Sequence, residues 1–330
     1  MENHTWAVVL AGGDGTRLAT LTNDGLGRHV PKQFCSLHGS PSLLEQAVFR
    51  ARCVVPEDHV CIIVARDHEH WWEPMIKALP EGNIIAQPRN RGTGNGVLLA
   101  LLYILKRDPM AQVIYLPADH HVMEEEFLSD AMKMALAGLA PTSKEMHLLG
   151  IEPEKADSEL GYIVPQETAR SKIRGVRHFI EKPSQAVASE LIRQGGLWNS
   201  LIFATNGNHL LDTFTERFQD NAKNMQNTLT RSSDPSSPPW ALTRLYERIP
   251  EMDFSRHILQ HHIANLRVVT VASCGWSDLG TPTRVNERVH LLSNHATRFH
   301  GRPNGMSFLD LADAVNKTAR RETPSRSTAL

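Results

Sequence analysis

The stretch WAVVLAGGDGTRLATLTNDGLGRHVPKQF, residues 6–34, decides how the rest of the chain is read. It opens on a short apolar run, 7–11, that reads as a buried strand. The run breaks into GGDGTR, where Gly12, Gly13 and Gly15 let the backbone turn tightly and approach a ligand with no Cβ in the way. A loop of this kind leaves successive N–H groups free to cradle phosphate oxygens. Arg17 adds a planar, permanently charged fork suited to phosphate, and Lys32, in PKQF, adds a point charge. Two other glycine motifs do not fit. A P-loop needs Lys-Ser or Lys-Thr after its last glycine, and this loop carries Thr16-Arg17. The dinucleotide fingerprint needs a small residue where Leu18 stands and an acid about 20 positions on, and none stands near His38. The competing reading is a tight strand–helix turn with an incidental Arg and Lys.

Composition sets the outer limits. A chain of 330 residues is long enough for one large α/β domain or two smaller ones. Its 35 Lys plus Arg nearly balance 36 Asp plus Glu, so no nucleic-acid or membrane surface is expected. There is no apolar run long enough to span a bilayer and no charged segment leading into an apolar one at the start, which reads as a soluble, cytoplasmic protein. Cys35, Cys53, Cys61 and Cys274 lack CxxC spacing and read as reduced structural thiols. A homodimer is left open.

Along the chain, Ser42 with Glu45 forms a capping box that predicts a helix start. Residues 60–65 and 83–86 read as strands, and 67–79 as a helix. His68 and His70 in that helix point apart and read as surface rather than as a metal pair. The second strand runs through Gln87 into RNRGTGNG, whose glycines 92, 94 and 96 again permit close backbone approach, with a helical stripe over 97–105. A strand-to-helix junction points free N–H groups at whatever binds above the strand ends. An ordinary helix start is the alternative.

Residues 112–116 form a fourth strand ending in PADHH. Asp119, just past the carboxyl end of a central strand, sits where open α/β sheets bind ligands. Mg²⁺ is typically held by one or two carboxylates plus substrate phosphates, so Asp119 is a metal candidate. His120 and His121 suggest zinc, but adjacent residues diverge and no third soft ligand accompanies them. A surface helix over 124–140 and a strand over 147–151 follow. Then come GYI at Gly161, a strand alternating toward EKP with Glu181 and Lys182, a helix over 184–194, and LWNSLIFAT with Asn199, whose amide gives and takes hydrogen bonds at once. Residues 223–239 are rich in Ser, Pro and Asn and read as a mobile surface loop. YERIPEMDFSRHIL leads to a last strand over 266–272. CGWSDLGTPTRV then places Asp278 in a glycine-flanked turn, where on its own it reads as the cap of a helix starting near Thr281.

AGG-x-GTRL followed by PKQF, PADH, GYI, EKP, WNS and WSD-x-G, in this order over about 6–285, resembles the sugar-1-phosphate nucleotidyltransferases, most closely the mannose-1-phosphate guanylyltransferases. Two departures stand out: RNRGTG where guanylyltransferases commonly have RNTAP, and Leu201 where the family motif WNSG has glycine, a change read as lying outside the contact itself. The resemblance implies a Rossmann-like three-layer α/β/α sandwich with a mixed sheet. It implies a nucleotidyltransferase domain over 1–293, with a nucleotide half at about 1–150, a sugar half at about 151–293, and a polar tail over 294–330 that carries neither hexapeptide repeats nor a cupin-type extension. Arg17 and Lys32 would be catalytic. Gly12, Gly13, Gly15, Thr16, Gln87, Gly92 and Thr93 would bind a nucleoside triphosphate, and Gly161, Glu181, Lys182 and Asn199 a hexose 1-phosphate. Asp119 and Asp278 would converge on one Mg²⁺. The implied reaction joins GTP and mannose 1-phosphate to give GDP-mannose and pyrophosphate. Alternatives are glucose 1-phosphate with UTP or dTTP, a molybdopterin or isoprenoid-precursor nucleotidyltransferase, and a non-catalytic binding subunit.

Overall fold

The fold is that of a computed structural model, which describes residues 3–295 apart from 23–27, 38, 40, 168–170 and 232–239. Among these residues nine strands form one mixed sheet: β1 (Thr5–Ala11), β2 (Val60–Ala65), β3 (Ile84–Gln87), β4 (Gln112–Pro117), β5 (Met146–Ile151), β6 (Tyr162–Pro165), β7 (Ile173–Ile180), β8 (Leu197–Asn206) and β9 (Leu266–Val271). Their order is β3-β2-β1-β4-β8-β5-β9-β7-β6, with β6 also pairing β8. The β3-β2-β1-β4 half is parallel, whereas β8 runs antiparallel to both β4 and β5. Among the described residues no helix is long and apolar enough to cross a membrane.

Helices cover both faces, as strands with two buried faces require. Ten of those described are α-helical: α1 (Leu43–Arg52), α2 (Glu69–Trp72), α3 (Thr93–Arg107), α4 (Glu125–Ala137), α5 (Gln185–Arg193), α6 (Gly207–Arg217), α7 (Gln219–Arg231), α8 (Ala241–Arg248), α9 (Phe254–His257) and α10 (Pro282–His295). Successive β1 residues split between two cores, the alternation a strand imposes. Ala7, Val9 and Ala11 pack with α1, α4 and α10, while Trp6 and Val8 pack with α3, α6 and α9. The result is three layers, as the sequence implies.

Local chemistry sets several boundaries. Ser42 Oγ accepts from the Glu45 N–H at 3.2 Å and Glu45 Oε2 accepts from the Ser42 N–H at 2.8 Å, so α1 starts at the capping box. The expected helix over 67–79 is instead one α-turn, α2, flanked by 3₁₀ turns, because Pro74 cannot donate to a continuing ladder. The expected loop over 223–239 is helical up to Arg231, with Ala222 and Met225 buried on one face; 232–239 lie outside the described residues. Most of the expected tail, 296–330, also lies outside them.

Candidate active site

A cleft of about 630 Å³ lies at the carboxyl ends of the parallel strands, between the β1 loop and the elements around β6 and β8. Strands β2 and β4 flank β1 on opposite sides, and such a switch point opens a crevice at the strand ends. All the site residues read from the sequence line this cleft except Gly15 and Thr16.

The glycine loop is braced by amides. Gln33 Nε2 donates to Ala11 O at 3.0 Å and to Gly13 O at 2.8 Å, and Gln87 Nε2 donates to Gly12 O at 3.3 Å. Gly15 holds φ +64°, and a Cβ there would stand 2.8 Å from the Lys32 backbone nitrogen, so it lets PKQF pack beneath the loop rather than meeting ligand. Thr16 opens a 3₁₀ turn, Thr16–Leu18, off the cleft wall. Arg17 reaches across the mouth toward Glu159 Oε2 at 3.7 Å, with both side chains at least half exposed.

Lys32 is the cation at the centre. Its side chain is 7 % exposed, and its Nζ lies 2.8 Å from Asp119 Oδ2. The same ammonium donates to the backbone carbonyl of Asp278. Burial pushes the Asp119 carboxyl up, but Lys32, His120 and a backbone hydrogen bond together outweigh it and hold the group below the usual range. Burial lowers His120 to about 4 against the pull of Asp119, so its imidazole is neutral. The Trp276 indole N–H donates to His120 Nδ1 at 3.3 Å, which puts the ring proton on Nε2, 3.7 Å from Asp119 Oδ1.

A short antiparallel bridge joins the two acidic loops: His121 N–H donates to Ser277 O at 2.9 Å and Ser277 N–H to His121 O at 2.8 Å. Asp119 and Asp278 therefore face one cleft, although 159 residues (278 − 119) separate them. Asp278 Oδ1 is not open, however. It accepts from the Gly280 N–H at 3.1 Å and from Arg284, whose other terminal nitrogen binds Asp157 Oδ2 at 2.6 Å. Among the described residues no cluster of three or more His, Cys, Asp or Glu is arranged around a metal. The donors present are two hard carboxylates, which fit a cation that takes most of its ligands from phosphates and water, not a protein-caged one.

The α3 junction departs from expectation. Its glycines serve chain packing: a Cβ on Gly92 would collide with the Met252 carbonyl, and one on Gly94 would stand 2.6 Å from Met252 Cγ. The N–H groups expected to face a ligand are taken, Gly92's by Asn90 Oδ1 at 2.9 Å and Gly94's by Met252 O at 2.7 Å. Thr93 Oγ1 accepts from the Phe254 N–H at 2.9 Å. What remains open is Gln87: its Oε1 is buried, lacks a partner among the described residues and belongs to the cleft wall.

On the opposite side Gly161, Glu181 and Asn199 converge, since a Cβ on Gly161 would meet Glu181 Oε2 and stand 3.3 Å from Asn199 Cβ. Burial, reinforced by Asp253, pushes the Glu181 carboxyl up to about 7 despite Lys182 and Arg256. Asn199 is already engaged, accepting from the Leu201 N–H at 3.1 Å and donating to Ser255 Oγ at 3.3 Å. Leu201 lines the cleft as well, so it does not lie outside the contact region. The sequence reading assigned no role to Gln33, Met252, Ser255 or Arg284. All four sat inside quoted segments, Gln33 in PKQF, Met252 and Ser255 in YERIPEMDFSRHIL and Arg284 in CGWSDLGTPTRV, the one signal available.

The sequence pattern of the family described as "Nucleotidyl transferase" matches residues 6–292. Among curated relatives, "Alginate biosynthesis protein AlgA" of Pseudomonas putida is 27% identical over 280 residues, covering 83% of this chain and 56% of its own. "Mannose-1-phosphate guanylyltransferase 2" of Escherichia coli O157:H7 is 28% identical over 293 residues, covering 83% and 58%. The chain thus spans little more than half the length of these relatives. A crystal structure described as a mannose-1-phosphate geranyltransferase, from Thermus thermophilus, superposes with a TM-score of 0.72 at 28% identity, covering 87% of this chain and 79% of that one. One described as an inositol-1-phosphate CTP transferase, from T. maritima, shares the fold at 14% identity and a TM-score of 0.55, covering 90% of this chain and 98% of that one.

Proposed function

This chain belongs to the nucleotidyl transferase family, and we propose that it transfers the nucleotidyl group of GTP to mannose 1-phosphate, giving GDP-mannose and pyrophosphate. The observation that carries this reading is the buried Lys32 ammonium, paired with Asp119, in the cleft that the glycine loop and the Gly161–Glu181–Asn199 cluster both line. A cation there lies between a triphosphate on one side and a sugar phosphate on the other. The relatives' names supply the choice of mannose and guanine. Gln87 Oε1 adds support on the base side, since it calls for an N–H donor of the kind a nucleobase edge carries.

The acceptor phosphate oxygen is already ionised and attacks the α-phosphorus. A new O–Pα bond forms, the Pα–O bond to the β-phosphate breaks, and pyrophosphate leaves with that electron pair. No protein base is needed, so the site acts by positioning and by neutralising charge. Lys32 faces the α-phosphate region, and Arg17 leaves its exposed partner Glu159 for the triphosphate. Glu181 and Asn199 orient acceptor hydroxyls, with Ser255 holding the amide of Asn199 in place. Asp119, with Asp278, would hold Mg²⁺, which when bound neutralises phosphate charge beyond what Lys32 and Arg17 cover.

Pyrophosphate release across the four nucleoside triphosphates and several hexose 1-phosphates tests the proposal. GTP with mannose 1-phosphate is expected to give the highest kcat/KM. Faster turnover of UTP or dTTP with glucose 1-phosphate would overturn the specificity, and no release with any pair would leave a non-catalytic binding subunit.

A further inference from the structure

The cleft floor contains a fault in β8. The β5–β8 pairing is in register at Leu148↔Phe203 and again at Gly150↔Asn199, so residues 200–202 together oppose Leu149. Leu201, at the centre of this bulge, holds φ +55°. That left-handed conformation is one bulges ordinarily give to glycine, because a Cβ crowds its own backbone there. The fault is well supported. Ser200 Oγ donates to Leu149 O at 2.7 Å and accepts from the Ile202 N–H at 3.2 Å, while Asn199 Oδ1 accepts from the Leu201 N–H at 3.1 Å. Glycine would take this backbone at no cost, so a leucine held in it points to a use for the side chain.

The sheet register shows where that side chain lies. Ile63 pairs with Leu10, and Leu10 pairs with Pro117. The β4–β8 pairing ends at Tyr115↔Phe203, and beyond it Pro117 and Leu201 both reach the cleft. All four line the cleft. An apolar row thus crosses β2, β1, β4 and β8 under the cleft and ends at Leu201, next to the amide of Asn199. Beyond that edge the wall becomes polar, with Gly161, Glu181 and Ser255.

We propose that Leu201 is the wall that sets the size of the acceptor subsite, closing the floor beside Asn199 so that an unsubstituted hexose 1-phosphate fits and one bearing an acetamido group does not. This rests on the reading of the Gly161–Glu181–Asn199 side as the acceptor side. The bulge presents the isobutyl group to the cleft, and an apolar wall excludes by volume, since it offers nothing to hydrogen-bond the extra amide.

The test compares the full chain with Leu201→Gly and Leu201→Ala, using GTP and either mannose 1-phosphate or N-acetylmannosamine 1-phosphate, which differ only in the acetamido group. The acetamido-to-plain ratio of kcat/KM is expected to rise about tenfold or more in both variants, the range a few methyl groups command in an apolar pocket. The GTP-to-UTP ratio should stay constant. A change of less than about threefold in acceptor ratio, or a shift in nucleotide ratio instead, would overturn the wall. If the unaltered chain releases no pyrophosphate with any hexose 1-phosphate, the functional reading fails separately. Calorimetric affinities of the two sugar phosphates for the same three proteins then decide the wall by the same ratio. Glycine also removes the backbone strain, so retained melting temperature in Leu201→Gly shows that the variant folds.

Discussion

Lys32 and Asp119 form a 2.8 Å ion pair in which the lysine is buried and the aspartate side chain remains 37 % exposed. The pair is poised rather than closed: the ammonium is fixed by Asp119 and the Asp278 carbonyl, while water or a cation still reaches the carboxylate.

Lys32→Ala is expected to lower turnover by about 10²–10³, the usual loss when one electrostatic donor to a developing charge is removed. Because Asp119 is partly solvated, stability should fall by only about 1 kcal/mol in urea titration. A double-mutant cycle with Asp119→Ala should give a clearly non-additive effect on rate. Additivity would separate the two residues. Arg17→Ala should cost activity with no change in stability, since its pairing with Glu159 is exposed.

Gly92→Ala should destabilise by about 2 kcal/mol or more. The residue holds φ +83°, and its Cβ would strike the Met252 carbonyl that caps α3. Gly13→Ala is the contrast, with open space around its Cβ and no left-handed φ, and it should melt like the parent. Equal melting temperatures for both variants would count against the packing role of Gly92.

Glu181 makes the empty protein pH-sensitive. Its carboxyl is raised from 4.5 to about 7 by burial and Asp253. A raised acid favours the protonated fold, so its contribution is full below 4.5 and is lost as pH rises through about 7. Thermal melts of Glu181→Gln from pH 4.5 to 8 should show a flatter profile, with the gain over the parent growing at the upper end. A parallel offset across the range would remove Glu181 as the cause.

Asp119→Asn should abolish the metal-dependent turnover proposed here in a chain that still folds, with a lowered melting temperature because the buried Lys32 ammonium loses its counter-charge. Asp278→Asn should raise the Mg²⁺ concentration needed for half-maximal rate, with Arg284 still held by Asp157. If the Asp278 variant shows an unchanged Mg²⁺ titration, Asp278 serves only to anchor Arg284, and Asp119 binds the cation alone.

What the sequence showed depended on whether the cause was local. The capping box at Ser42 and the apolar strands were readable because spacing along the chain determines them, and the lysine of PKQF because its charge sits in a motif that carries the family resemblance. The glycines of RNRGTG were not, because their partner, Met252, lies about 160 positions away and nothing in their own neighbourhood announces it. Arg284 was missed for the same reason: it acts by joining Asp278 to Asp157, a contact made only in three dimensions. Leu201 was read as incidental because its φ arises from a register shift between β5 and β8, which no single segment encodes.

The bridge between His121 and Ser277 also imposes an order in time. On the ribosome, Asp119 emerges with its loop incomplete, and 156 further residues (277 − 121) must be added before the segment that pins it exists. At roughly 5–20 residues per second the wait is about 10–30 s. For about the first half of that interval, until residues 197–206 are made, β4 also lacks its β8 neighbour, so the nascent chain holds an open strand edge beside an unassembled charge centre. The parallel β3-β2-β1-β4 half can form early, but its chemistry arrives only with the last strand.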